Sequence, residues 1–173
     1  MTPSTEFVEL DKGIHDRSTF DCGTPQLNQF LQHSAAKHRA AGISMTMVLP
    51  AKGTAADICA FYTLSHTEIQ RHTLPRGAGK KLPRYPVPVL LIAQLAVHRA
   101  TQGRGLGKIT LIRALHHAHA INEHLPSHAV VVDALGNAAR GFYQQFGFEA
   151  LDTHPQGTRL FLSMQTVSQL FAE

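Results

Sequence analysis

The chain has 173 residues, 43% hydrophobic and 16% charged, with 16 Lys+Arg against 12 Asp+Glu for a formal net charge of +4. That length suits one domain able to bury its own core without disulfides or metals, no stretch is long and apolar enough to cross a membrane as a helix, and Met1 to Glu9 has neither the basic start nor the apolar run of a secretory signal. The composition predicts a soluble, cytoplasmic, single-domain protein whose two distant cysteines, Cys22 and Cys59, stay reduced, and its basic balance favours an acidic partner such as nucleic acid or a phosphorylated ligand.

Thr24 and Pro25 open the first helix, since Thr suits the N-cap and Pro the first helical position; Leu27, Phe30, Leu31 and Ala35 follow at helical spacing, with an end by Gly42. Residues 43–49 read as a strand with Ile43, Met45, Met47 and Leu49 on one face, residues 50–56 as a turn, and residues 57–64 as the antiparallel partner. Residues 72–88 hold Pro75, Pro83, Pro86 and Pro88 with Gly77 and Gly79, a composition that resists regular structure and is long for an idle connection. Residues 89–97 are almost continuously apolar, as a strand buried on both faces should be. Leu106, Ile109, Leu111, Ile112 and Leu115 then mark a helix, residues 128–134 a strand, 137–146 a short helix, and 147–151 and 159–164 two further strands. With no internal repeat and no linker, this order implies an α/β or α+β domain around a mixed central sheet.

Between the apolar strand and the helix lies Gln102-Gly103-Arg104-Gly105-Leu106-Gly107, followed by Lys108. The spacing lacks the terminal Lys-Ser/Thr pair of a Walker A loop, and Ile109 or Leu111 stands where a dinucleotide fingerprint needs its last glycine. What remains is a strand feeding a glycine turn that opens a helix, so that successive backbone N–H groups face outward at the positive end of the helix dipole, as a pyrophosphate site requires.

Leu95-Ala96-Val97 followed by Gln102-x-x-Gly105-x-Gly107 resembles the acyl-CoA motif of the GNAT N-acyltransferase superfamily, and Asn137-Ala-Ala-Arg-Gly-Phe142-Tyr143-x-x-x-Gly147-Phe148 is similar to that family's second motif. The resemblance covers roughly residues 40 to 165 and implies the GNAT fold, with a splayed fourth and fifth strand pair flanked by helices and acetyl-CoA as cosubstrate. It implies that Leu95, Ala96 and Val97 line the acyl arm and that residues 102–108 cradle the pyrophosphate. Asn137 and Phe142 would lie near the CoA arm, the Val97 N–H would hold the oxyanion, and Tyr143 would protonate the departing thiolate. A finer resemblance runs through Phe20-Asp21-Cys22-Gly23, Leu27-Asn28-x-Phe30-Leu31, Arg84-Tyr85-Pro86-x-Pro88 and Leu95-Ala96-Val97. These segments look like the toxin branch of the superfamily, whose members pair with ribbon-helix-helix antitoxins and acetylate the free amine of aminoacyl-tRNA. A homodimer is expected on the same ground. This chain departs from that branch in having Gln94 and His98 where Arg and Asp are expected, and Arg113 in place of an acidic residue, which makes that face more basic.

No carboxylate near these motifs offers itself as a general base. An α-amino group titrates near ~7.7 to 8.0 and is lowered further in an ester, so it needs little help, whereas a lysine amine near ~10.4 would need roughly three units. For an RNA-sized substrate the cationic rim is assigned to Lys37 and Arg39 at the end of the first helix and to Arg71, Arg76, Lys80, Lys81 and Arg84 in the Pro/Gly-rich connection. Twelve histidines raise a metal reading, but of His116, His117, His119 and His124 only His116 and His119 share a helix face, and no further ligand accompanies them, so no metal is expected. Two alternatives remain: acetylation of a small amine or protein N-terminus, and a CoA-binding or regulatory module without turnover.

Overall fold

The computed structural model describes residues 1–74, 79, 81–84, 86–151 and 158–172. In chain order the elements are β1 (Val8–Glu9), α1 (Pro25–Gln29), a π-helical turn (Phe30–Ser34), α2 (Ala35–Ala40), β2 (Ser44–Ala51), β3 (Thr54–Ile69), β4 (Val87–Val97), α3 (Leu106–Asn122), β5 (Ala129–Asp133), α4 (Gly136–Gln144), β6 (Glu149–Ala150), β7 (Arg159–Ser163) and α5 (Met164–Leu170). The strands follow the order β1-β2-β3-β4-β5-β7-β6; β4 and β5 are parallel, while β1–β2, β2–β3, β5–β7 and β7–β6 are antiparallel, so the sheet is mixed as expected. Two compact units can be distinguished: Met1–Ser65 with Ala93–Ala114, and the rest of the chain.

In the first unit, Thr24 is extended and Pro25 stands at the first helical position, but the Thr24 side chain makes no capping hydrogen bond; its carbonyl accepts the N–H groups of Leu27 and Asn28 instead. The single helix expected from the sequence is broken by the π turn at 30–34. Leu31 and Ala35 are buried in one cluster with Phe20, Val48, Ile58, Phe61 and Ala96, and Leu27 and Phe30 pack against it. The π turn takes up one residue more than an α-helical turn and leaves both side chains in that cluster. The helix then closes on Gly42, whose φ of 74° permits the N–H groups of Gly42 and Ile43 to donate to the carbonyls of Arg39 and His38.

That closure corrects the reading of the first strand. Ile43 belongs to the helix end and is exposed; the strand starts at Ser44. Met45, Met47 and Leu49 do alternate onto one face, but the opposite face is the more deeply buried through Thr46 and Val48. A threonine can occupy that core position because Thr63 lies directly across the ladder, with the two hydroxyl oxygens 2.7 Å apart. The connection is tighter than 50–56: Ala51 pairs with Thr54 around Lys52 and Gly53, the glycine at φ 83°. In α3, Ile109 is half exposed, while Leu106, Thr110, Leu111 and Ala114 face inward; Thr110 satisfies its hydroxyl by donating to the Leu106 carbonyl at 2.7 Å. The strand β1 escaped the sequence reading.

The second unit has its own core of Ile69, Leu74, Val87, Val89, Ala129, Val131, Leu151 and Phe161. The β4–β5 ladder runs from Leu90↔Val130 to Ile92↔Val132 and stops there. Across β5 and β7, Arg159 donates from Nε and Nη2 to both carboxylate oxygens of Asp133, at 2.7 and 2.9 Å. The chain ends in α5, also missed by periodicity, which begins where Ser163 Oγ accepts the Thr166 N–H. None of the described helices is long and apolar enough to cross a membrane.

Candidate active site

The first unit contains the end of β4 and the glycine turn. The His98 N–H donates to the Cys59 carbonyl of β3 at 2.8 Å. Because strand polar groups alternate in direction, the N–H and C=O of Val97 point off the opposite edge of β4. There the Val97 carbonyl accepts the side-chain amide of Gln102 at 2.8 Å. The side chains of this segment divide between two cores. Ala96 packs with Phe20 and Leu31, whereas Val97 packs with Leu49, Ala51, Cys59, Ala60 and Leu106.

Past Val97 the chain makes a 3-10 turn, Arg99–Thr101, whose Ala100 N–H is capped by His98 Nδ1 at 3.0 Å. With Nδ1 accepting, the proton of the neutral ring sits on Nε2, which lies 3.3 Å from the Thr19 carbonyl. Thr101 is fully buried and donates to the carbonyls of Cys59 and His98. The glycine turn follows. Gly103 and Gly105 both have φ 78°, and a Cβ at either would meet nothing within 4 Å. These glycines are required by backbone conformation and leave open space beside the main chain. Ile109 is the first N–H of the helix region to find a carbonyl, that of Gly105 at 3.3 Å; the N–H groups of Gly103, Arg104, Gly105, Leu106, Gly107 and Lys108 have no partner among the described residues. Leu106 anchors this start in the core, and the Arg104 guanidinium reaches the carbonyls of Met1 and Ala100 at 3.3 and 3.4 Å. An array of free donors, open at its glycines and backed by a 17-residue helix, fits a pyrophosphate.

The second unit holds Tyr143. The segment that contains it ends α4 in a Schellman motif: the Gly147 N–H donates to the Gln144 carbonyl at 3.1 Å and the Phe148 N–H to the Tyr143 carbonyl at 3.4 Å, with Gly147 at φ 93°. The apolar contact that accompanies this motif is the Tyr143–Phe148 ring pair, centroids 5.6 Å apart, and Phe142 packs edge-on at 5.2 Å. The spacing Phe142-Tyr143-x-x-x-Gly147-Phe148 thus encodes a helix terminus that immobilises a tyrosine. Tyr143 is only 7% exposed, burial pushes its phenol pKa up from the usual value, and its hydroxyl has no hydrogen-bond partner among the described residues. Asn137 is exposed in the first turn of α4, and Phe142 is half-buried.

Of the cationic candidates, Lys37 is exposed on α2, and the Arg39 Nε is ion-paired with Glu9. Arg71 is committed locally: its guanidinium donates to the Leu82 carbonyl at 3.1 Å, and its side chain fills the space beside Gly79. Lys81 and Arg84 are exposed; Arg76 and Lys80 lie outside the described residues. His116 and His119 both pack against Phe171, and no group of three or more metal-ligating side chains occurs among the described residues.

Sequence reasoning missed what the segment around Phe20 does. Asp21 Oδ1 accepts the Gly23 N–H and the Asn28 side-chain amide at 2.9 and 3.0 Å, while Asn28 Oδ1 accepts the Cys22 N–H at 2.9 Å. The sequence carried two signals, the resemblance through Phe20–Gly23 and Leu27-Asn28 and the clustering of Asp, Gly and Asn, which marks side chains able to bond nearby backbone, but neither showed these bonds.

Residues 55–150 match the family model for the acetyltransferase (GNAT) domain. A tRNA-acetylating toxin of Mycobacterium tuberculosis is 32% identical over 158 residues, covering 91% of this chain and 92% of that protein. Among solved structures, AtaT complexed with acetyl-methionyl-tRNAfMet aligns with a TM-score of 0.87 at 25% identity, covering 96% of this chain and 99% of that one. AtaTR bound with AcCoA aligns with a TM-score of 0.84 at 27% identity, covering 96% and 98%. The free-amide turn after a buried strand, the tyrosine at a closed helix end and these likenesses identify the chain as a member of the GNAT acetyltransferase family.

Proposed function

We propose that this chain is a toxin that transfers the acetyl group of acetyl-CoA to the free α-amino group of aminoacyl-tRNA, and that both units together make one acetyltransferase domain. The observation that carries the reading is the run of N–H groups from Gly103 to Lys108, at the head of α3, that have no partner among the described residues. The tRNA-acetylating relative and the complex of AtaT with acetyl-methionyl-tRNAfMet support the choice of acceptor. Blocking the amine of charged tRNA stops it from entering peptide synthesis, which places the protein's action in the cytoplasm. The branch resemblance supports neutralisation by a ribbon-helix-helix antitoxin and a homodimeric form.

In this reading the main-chain amides of 103–108 hold the pyrophosphate, and the free edge of β4 beside Leu95, Ala96 and Val97 receives the acyl arm. The Val97 N–H stabilises the oxyanion that forms when the neutral amine attacks the thioester carbonyl. As the new C–N bond forms and the C–S bond breaks, the amine loses a proton to solvent and Tyr143 donates one to the leaving sulfur. The phenol is protonated at neutral pH even at its ordinary value; burial raises its pKa and makes it a weaker acid, so the transfer depends on close approach to the leaving thiolate, and solvent returns the proton to the phenolate afterwards. An α-amine needs no dedicated base at this pH, consistent with the lack of a carboxylate in the motifs. Lys37, Arg39, Arg71, Lys81 and Arg84, with Arg76 and Lys80, are the proposed phosphate contacts; Arg71 also donates to the Leu82 carbonyl of its own connection.

Mass spectrometry of total aminoacyl-tRNA after incubation with acetyl-CoA and the protein tests this directly. Acetyl groups on the α-nitrogen of the attached amino acid are expected. Labelling confined to free amines or protein N-termini would overturn the acceptor, and no transfer to any amine would favour a binding module without turnover.

A further inference from the structure

The segment Phe20-Asp21-Cys22-Gly23 and the segment 98–102 are about eighty residues apart in sequence, yet they are joined at several points within the first unit. The Arg99 N–H donates to the Asp21 carbonyl at 2.8 Å, and the Arg99 guanidinium lies 3.3 Å from the Asp21 carboxylate. The Phe20 ring meets the His98 ring edge-on at 5.5 Å. A Cβ on Gly23 would come within 3.3 Å of the Arg99 guanidinium, and φ 88° at that residue excludes most others. Most directly, the Gln102 side-chain amide donates both to the Cys22 carbonyl, at 2.9 Å, and to the Val97 carbonyl, at 2.8 Å. The first residue of the glycine turn is therefore tied by its side chain to the end of β4 on one side and to this loop on the other. The Cys22 carbonyl belongs to the Cys22–Gly23 peptide, whose N–H donates to Asp21 Oδ1 at 2.9 Å; Asn28 fixes that carboxylate by donating to the same oxygen at 3.0 Å, and it accepts the N–H of the preceding peptide, that of Cys22.

We propose that Asn28 is a positioning residue for acetyl-CoA: through Asp21, the Cys22 carbonyl and Gln102 it presets the glycine turn so that the amides of 103–108 converge before the ligand arrives. Asn28 does not touch the ligand; it acts through the loop. A free turn with φ near 78° at two glycines samples many conformations, and every amide ordered on binding subtracts from affinity. Gln102 has both amide hydrogens committed to carbonyls, so its side chain serves as a brace, leaving anion contact to the main chain. This inference rests on the reading of the turn as the pyrophosphate site.

Calorimetry with coenzyme A itself separates the two ideas. The unmodified protein should bind CoA; if it does not, the pyrophosphate reading fails, whatever the loop does. Given binding, Asn28→Ala should raise the Kd for CoA and the KM for acetyl-CoA about tenfold, the scale of one or two lost hydrogen bonds, with kcat at saturating acetyl-CoA changed less than about twofold. Asn28→Asp should behave alike, since it keeps an acceptor for Cys22 but sets two carboxylates against each other. Ser163→Ala, which uncaps α5 in the second unit, serves as a control for general loss of stability and should bind CoA as the unmodified protein does. Unchanged CoA affinity in folded Asn28→Ala, or a fall in kcat without a rise in KM, would each overturn the proposal.

Discussion

The two glycine-containing motifs put the same residue type to opposite uses. At residues 102–107 Gly103 and Gly105 adopt positive φ with nothing near their missing side chains, and the N–H groups of 103–108 have no partner among the described residues. At residues 143–148 the glycine also adopts positive φ, but its N–H and that of Phe148 are both bonded, and a Cβ on Gly147 would touch Leu162 at 3.5 Å. The first motif withholds internal hydrogen bonds so that a ligand can make them; the second completes them so that one phenol is held still. Every helix start leaves main-chain donors for water, a cap or a ligand to meet; here they extend before the helix through two glycines with open space beside them, which suits an anion, whereas the bonded donors after α4 hold a scaffold.

This contrast can be broken most sharply at Tyr143. Tyr143→Phe keeps the ring contacts with Phe142 and Phe148 and removes only the hydroxyl, so kcat should fall on the order of 10²-fold or more in single-turnover acetyl transfer, with CoA affinity by calorimetry unchanged. A small drop in kcat would assign the phenol to packing. Next in size, Gly105→Ala should raise the Kd for CoA by about tenfold or more, because it strains the turn and sets a methyl group beside the donor array. Its counterpart, Gly147→Ala, should lower unfolding stability by about 1 kcal/mol in denaturant titrations and leave CoA affinity alone; equal effects at the two glycines would erase the distinction. The smallest effect concerns pH. Burial holds the phenols of Tyr62 and Tyr143 above the reference value of 10.0, so the folded chain keeps their protons while the unfolded chain releases them. Their contribution is fully present below pH 10 and declines as pH rises beyond it, and the alkaline decline should be shallower in Tyr143→Phe.

The element types were largely legible because apolar spacing reports burial: the β4 run, the α3 stripe and the helix before Gly147 all appear where the residues place them. The errors came from residues whose environment is set across the sheet or along the backbone. Thr46 reads as a surface position until Thr63 is seen opposite it, and Ile43 reads as strand until its N–H is found closing a helix. The two-residue β1 carries too little pattern to be recognised, and the π turn changes hydrogen-bond spacing without changing composition. In the site, the glycine turn and Tyr143 could be read from local motifs. The Gln102 brace could not, since its partner Cys22 lies eighty positions away. The Pro/Gly-rich connection was assigned cations by composition alone, and composition does not show that the Arg71 guanidinium also donates to the Leu82 carbonyl of its own connection.

The π turn before α2 has one more implication. It holds one residue more than an α-helical turn, and the extra residue is taken up within the turn itself, so removing a single residue from 30–34 would restore ordinary α-helix while the residues on either side keep their faces. Ala35 would stay in the cluster with Leu31, and Lys37 would keep its direction. The turn is thus a place where chain length can change by one residue without re-aiming the cationic surface of α2.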